Sequence, residues 1–193
     1  MNTHLLTSSQ TVGPFFAPAL LREDARRNVL TWSDTAGERI RIEGHVLDGD
    51  GVPVPDAMVE IWQANSHGRY NHAADQGPAP LDPSFFGFGR SGTGDDGSYW
   101  FETIKPGSVL LNREQLQAPH VCVTVFSRGL LNHLVTRLYF EDEPGNALDP
   151  VLQCVPNDRR ATLLARREAR DTVVVYRFDI VLQGADETAF FNL

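Results

Sequence analysis

Short stretches of alternating apolar and polar residues run along this chain, separated by turns rich in glycine and aspartate. Arg39-Ile40-Arg41-Ile42-Glu43 and Val59-Glu60-Ile61-Trp62-Gln63 repeat every second residue, the period of a strand with one buried face. Asp48-Gly49-Asp50-Gly51 supplies one turn, and Asp95-Asp96-Gly97 supplies another that leads into a strand at Tyr99-Trp100-Phe101. His120 to Phe126 is dense in β-branched and aromatic residues, which predicts a central strand ended by Ser127-Arg128-Gly129. Thr136 to Phe140 predicts the next strand, and Val173 to Leu182 the last and longest. The clearest helix is predicted over Asp158 to Ala169, capped by Asn157 or Asp158, with Leu163 and Leu164 turned to the core. A weaker helical pattern lies at Pro18 to Arg27.

Many short strands with few helices predict a mainly β fold, a β-sandwich with long loops and one or two short helices. The 193 residues suit one domain, with residues 1–38 as an irregular N-terminal segment. Asn65 to Thr93 has little periodicity and holds His67, Tyr70, His72 and five glycines between Gly68 and Gly92. Long ordered loops of this kind carry function or form interfaces.

The net charge of -8 argues against nucleic acid, whose phosphates an acidic surface repels. It also means that an anionic ligand needs a local cation. Arg128, at a predicted strand end, is such a cation, able to hold a carboxylate through a forked bond. A solvated turn arginine is the equal alternative. Met1 to Gln10 lacks a cationic stretch followed by an apolar run, and no apolar run approaches the roughly 20 residues that span a bilayer. Cys122 and Cys154 are expected as reduced thiols of a cytoplasmic protein.

Metal chemistry has a thin basis in these residues. His120 and Cys122 share one face of a strand, and Tyr70 or His72 could join them, but two ligands make no site. A core histidine beside a small apolar cysteine explains the pair better. The stiff segment Gln10-Thr11-Val12-Gly13-Pro14-Phe15-Phe16 reads as an extended piece docked on an apolar surface, either its own domain or a partner.

Taken in order, these pieces resemble the intradiol ring-cleavage dioxygenases. The matching stretches are Gln10-Thr11-x-Gly13-Pro14-Phe15, Glu60 to Asn65 with Gly68-Arg69-Tyr70, Phe88-Gly89-Arg90, and Asp95-Asp96-Gly97. Thr103 to Gly107, Ala118-Pro119-His120, Arg128-Gly129, Thr136 to Phe140, and Tyr176 to Ile180 with Gln183-Gly184 follow. The resemblance runs from Ser9 through nearly the whole chain, and its specificity lies in the ordered set.

The resemblance implies a mixed-sheet sandwich and the alpha chain of a two-chain enzyme, whose homologous beta chain binds Fe(3+) with two tyrosines and two histidines. Here Gly77 and Val109 stand where the tyrosines belong, and Cys122 replaces one histidine, leaving His120 alone. The implied role is therefore to complete an active site without holding iron. Thr11, Gly13, Pro14 and Arg128 would line the partner's pocket, with residues 1–38 at the interface. The implied reaction opens the ring of 3,4-dihydroxybenzoate with O2, giving 3-carboxy-cis,cis-muconate in aromatic catabolism by the beta-ketoadipate route. A self-sufficient metal site at His120 and Cys122, or a non-enzymatic binding module, stays open.

Overall fold

The computed structural model describes residues 19–23, 27–112, 115–170 and 173–192. Thr11, Gly13 and Pro14 lie outside these residues. Among the described residues eleven strands follow one another: β1 (Arg39–Leu47), β2 (Met58–Gln63), β3 (Phe88–Gly92), β4 (Ser98–Ile104), β5 (Val109–Leu110), β6 (Leu116–Gln117), β7 (His120–Phe126), β8 (Leu134–Phe140), β9 (Leu164–Arg170), β10 (Val173–Arg177) and β11 (Ile180–Val181). Short 3-10 turns at Pro144–Leu148, Leu152–Cys154 and Arg160–Leu163 lie between β8 and β9.

Nine strands form one hydrogen-bonded path, β3-β2-β7-β8-β9-β10-β1-β4, with β11 continuing β10 along the same side of β1. The β1–β10, β1–β11 and β8–β9 pairs are parallel and the rest antiparallel, so the sheet is mixed as expected. The mainly β fold is as expected, but in place of a β-sandwich the nine strands make one barrel-like sheet, with β5 and β6 paired apart from it. The two halves are joined where β9 lies against β8 through Tyr139–Leu164 and Phe140–Ala165.

Residues 27–30 complete the ring. Arg27 exchanges two backbone hydrogen bonds with Arg90 on β3, while Leu30 donates to the Glu102 carbonyl on β4 and Glu102 donates back to Asn28. The Asn28 side-chain amide also donates to Ser91 Oγ and to the Trp100 carbonyl, bonding β3 and β4 at once. Two strand ends that would otherwise present unpaired amides are thus satisfied.

Inside the ring lie the alternate residues that the pattern marked. Ile40, Ile42 and Val46 of β1, Val59 and Ile61 of β2, Phe101 of β4, and Val121, Val123 and Val125 of β7 are buried in one core. A smaller apolar cluster outside the ring packs Leu152, Val155 and Leu163 against Ala118 and Tyr139.

Two sequence expectations fail here. Asp158 to Ala169 is not a helix: Arg160–Leu163 makes a 3-10 turn and Leu164–Arg170 is strand β9. Pairing with β10 over Arg166 to Arg170 outweighs the helical preference of the arginine-rich run. Nor is Val173 to Leu182 one long strand. It breaks at Phe178, whose carbonyl turns from the ladder to accept from the buried Tyr99 hydroxyl at 2.5 Å. A Cβ on Gly44 of β1 would stand 1.9 Å from that carbonyl oxygen, so the crossing needs glycine there. Among the described residues the longest strand is β1, with nine residues. Of the weaker helical pattern at Pro18 to Arg27, only Ala19 and Leu20 are helical among the described residues.

Candidate functional site

The outward face of the β2–β7–β8 sheet carries the candidate residues. Register sets His120 opposite Tyr139 and Cys122 opposite Arg137, while Trp62 of β2 lies across from Cys122. The period of two that buries Val121 and Val123 turns His120, Cys122 and Arg137 the other way.

The loop after β2 folds over this face. Asn65 organises it: Asn65 Oδ1 accepts from the His67 and Arg69 amides, and Asn65 Nδ2 donates to the Pro80 carbonyl. Gly68 sits at φ 81°, and a Cβ there would stand 1.8 Å from the Ser108 carbonyl oxygen. The loop therefore reaches the β4–β5 connection only with glycine at that point. Arg69 donates to the Ala79 and Asp75 carbonyls, and Asp75 accepts from the Tyr70 and Gly77 amides.

Between loop and sheet lies a cleft of about 620 Å³. Gly77, Val109 and His120 all line it, together with Tyr70 and Arg137. Three of the four positions that the family resemblance pointed to therefore converge. Cys122 lies beside the Tyr70 hydroxyl.

His120 is buried, with Nδ1 held 2.7 Å from the Ala118 carbonyl, which assigns the ring proton to Nδ1. Nε2 faces the Tyr70 hydroxyl at 3.4 Å. Burial first, and the Arg137 cation second, lower the His120 pKa to about 4. Burial likewise pushes the Tyr70 phenol and the Cys122 thiol above their ordinary values. Tyr70 also stacks on Trp62, with ring centroids 5.7 Å apart and planes 15° from parallel.

These residues do not fit a ferric ion. Gly77 and Val109 carry no donor atom, Cys122 stands where the second imidazole belongs, and the Arg137 cation shares the cleft. Ferric iron needs several anionic oxygen donors or imidazoles. Among the described residues no three His, Cys, Asp or Glu side chains converge as a metal site. His72, the other candidate, lies exposed on the loop with Nδ1 accepting from the Ala74 amide. Both cysteines are free thiols.

Arg128 is not part of this cleft. It follows the far end of β7, eight residues beyond His120, which at about 3.3 Å per residue is roughly 25 Å away. Its Nε is 2.6 Å from Asp56 Oδ2, and its side chain is 65% exposed. The two functions expected of β7 therefore sit at opposite ends of one strand.

Arg137, Gln117 and Asp149 stand at the site without having been expected there from the sequence. Arg137 Nη1 donates to Gln117 Oε1 at 2.7 Å and to the Tyr139 hydroxyl at 3.4 Å. Asp149 is fully buried and accepts from Tyr139, the Ala118 amide and the Val151 and Leu152 amides. It fixes the approach to His120. The alternation Thr136-Arg137-Leu138 was the available signal, and it marks Arg137 only as pointing away from the core.

Residues 11–184 match the model of a family described as Dioxygenase. The chain is 44% identical over 204 aligned positions to the protocatechuate 3,4-dioxygenase alpha chain of Burkholderia cepacia, covering all of both chains. It is 41% identical to the beta chain from the same organism, over 87% of this chain and 74% of that one. Among solved structures, 3-chlorocatechol 1,2-dioxygenase of Rhodococcus opacus superposes with a TM-score of 0.66 at 18% identity, over 92% of this chain and 68% of the other. Among the described residues no helix is long and apolar enough to cross a membrane.

Proposed function

This chain belongs to the intradiol dioxygenase family, and we propose that it is the alpha subunit of a protocatechuate 3,4-dioxygenase and completes an active site whose Fe(3+) is held by a homologous beta chain. The reaction is the O2-dependent opening of 3,4-dihydroxybenzoate between its hydroxyls to 3-carboxy-cis,cis-muconate, a step of aromatic catabolism in the cytoplasm. The observation that carries this reading is the donor set of the cleft. One imidazole remains where the resemblance expects four ligands, while the fold around it is intact.

The chain's own contribution is shape and charge at the partner's pocket. The Arg128 guanidinium, on an exposed turn, exchanges Asp56 for the substrate carboxylate. An exposed pair of this kind is worth only about 0–1 kcal/mol, so giving it up costs little. Thr11, Gly13 and Pro14 are assigned to the lining of the same pocket on the strength of the family resemblance alone.

The test is to measure iron and ring-cleavage activity for the chain purified alone and for the chain mixed with its beta partner. The expected result is no iron and no activity alone, and a coloured, active complex with both. Stoichiometric iron in the isolated chain, or normal turnover by the beta chain alone, overturns the reading.

A further inference from the structure

A polypeptide of net charge -8 keeps two guanidinium groups, Arg69 and Arg137, on the wall of the 620 Å³ cleft. Among the described residues, the direct hydrogen-bond partners of both are neutral. Arg137 meets the Gln117 amide oxygen and the Tyr139 hydroxyl. Arg69 meets two backbone carbonyls, and its Nε is buried with no acceptor.

Nearby carboxylates are already engaged. Asp149 accepts hydrogen bonds from the Tyr139 hydroxyl and from three backbone amides. Asp75, the carboxylate on the cleft wall, accepts from the Tyr70 and Gly77 amides. His120 is neutral at ordinary pH, so it adds no positive charge. The wall thus carries one more positive than negative charge. Holding a desolvated guanidinium without an anion is unfavourable.

The mouth of the cleft is apolar. Leu110, Leu111 and Leu116, on and beside the β5–β6 hairpin, are 46%, 46% and 58% exposed and line the same space. Its volume falls within the range of about 300–1,000 Å³ that holds small ligands. We infer that this cleft is a binding site for a small organic carboxylate with an apolar body, its anionic end on Arg137 and its body under the leucine rim. The site needs no metal and is separate from the Arg128 end of the strand.

The full-length chain titrated with benzoate in a calorimeter tests this. One equivalent of benzoate should bind. Its neutral isostere benzamide should bind about tenfold more weakly or worse, and Arg137→Gln should weaken benzoate by about tenfold to a hundredfold. Sulfate should not compete at equal concentration. Absence of benzoate binding, equal affinity for benzamide, an unchanged Arg137→Gln variant, or displacement by sulfate overturns the proposal. Should Arg137→Gln fail to fold, crystals of the unaltered chain soaked in 4-bromobenzoate decide. Bromine density in the cleft between Arg137 and the leucine rim supports the site, and its absence there overturns it.

Discussion

The Tyr139 hydroxyl donates to Asp149 Oδ1 at 3.0 Å while Arg137 donates to the same hydroxyl at 3.4 Å. One phenol therefore links a fully buried carboxylate to a cation in the cleft. Asp149→Ala would leave three backbone amides and that hydroxyl without their acceptor. The expected loss is about 3–5 kcal/mol, read from urea unfolding. Asp149→Asn keeps one acceptor oxygen and should lose roughly half as much. A variant as stable as the parent would remove Asp149 from its anchoring role.

The His120 pKa falls from 6.5 to about 4 on folding. Between those values the unfolded chain binds a proton that the folded chain does not. Stability from this group is therefore complete above about pH 6.5 and is lost as pH falls toward 4. The size is roughly 3 kcal/mol across the window. Other groups titrate there too, so His120→Gln is the control. Its unfolding free energy should drop less between pH 7 and pH 4.5 than that of the parent. Parallel pH curves for the two proteins would mean that His120 is not held neutral.

Gly44→Ala places a methyl group against the Phe178 carbonyl, at 1.9 Å in the present backbone. The β10–β11 crossing and its Tyr99 hydrogen bond must shift to admit it. A destabilisation of about 3 kcal/mol is expected, lowering Tm by roughly 10 °C. Thermal melting of the variant is the check, and an unchanged Tm would show that the crossing moves freely.

Arg128→Ala, assembled with the beta chain, should raise KM for 3,4-dihydroxybenzoate by about tenfold and leave plain catechol little changed. Steady-state kinetics on both substrates reads the difference. Equal losses, or none, would take the carboxylate away from Arg128.

The sequence carried the strands whose alternation is clean. β7 begins at His120 and ends at Phe126, the limits that the pattern marked. β9 was hidden because Leu164–Arg170 has an arginine-rich, half-exposed composition, and only its partners on β8 and β10 make it a strand. β3, Phe88–Gly92, was hidden by glycine and serine, which carry no β preference of their own and are held by β2 and Arg27. In the cleft, the family resemblance pointed to Gly77, Val109 and His120, and they lie together. Arg137 was not legible. Outward polar residues alternate along any half-buried strand, and what sets Arg137 apart is that its hydrogen-bond partners among the described residues are neutral.

The segment at residues 27–30 has a consequence for how this protein meets others. With β3 and β4 both occupied by it, a visiting chain cannot extend the sheet there by lending a strand of its own. Recognition at that seam has to be read from side chains, such as the exposed Trp32 and Phe86 beside it, rather than from a shared backbone ladder.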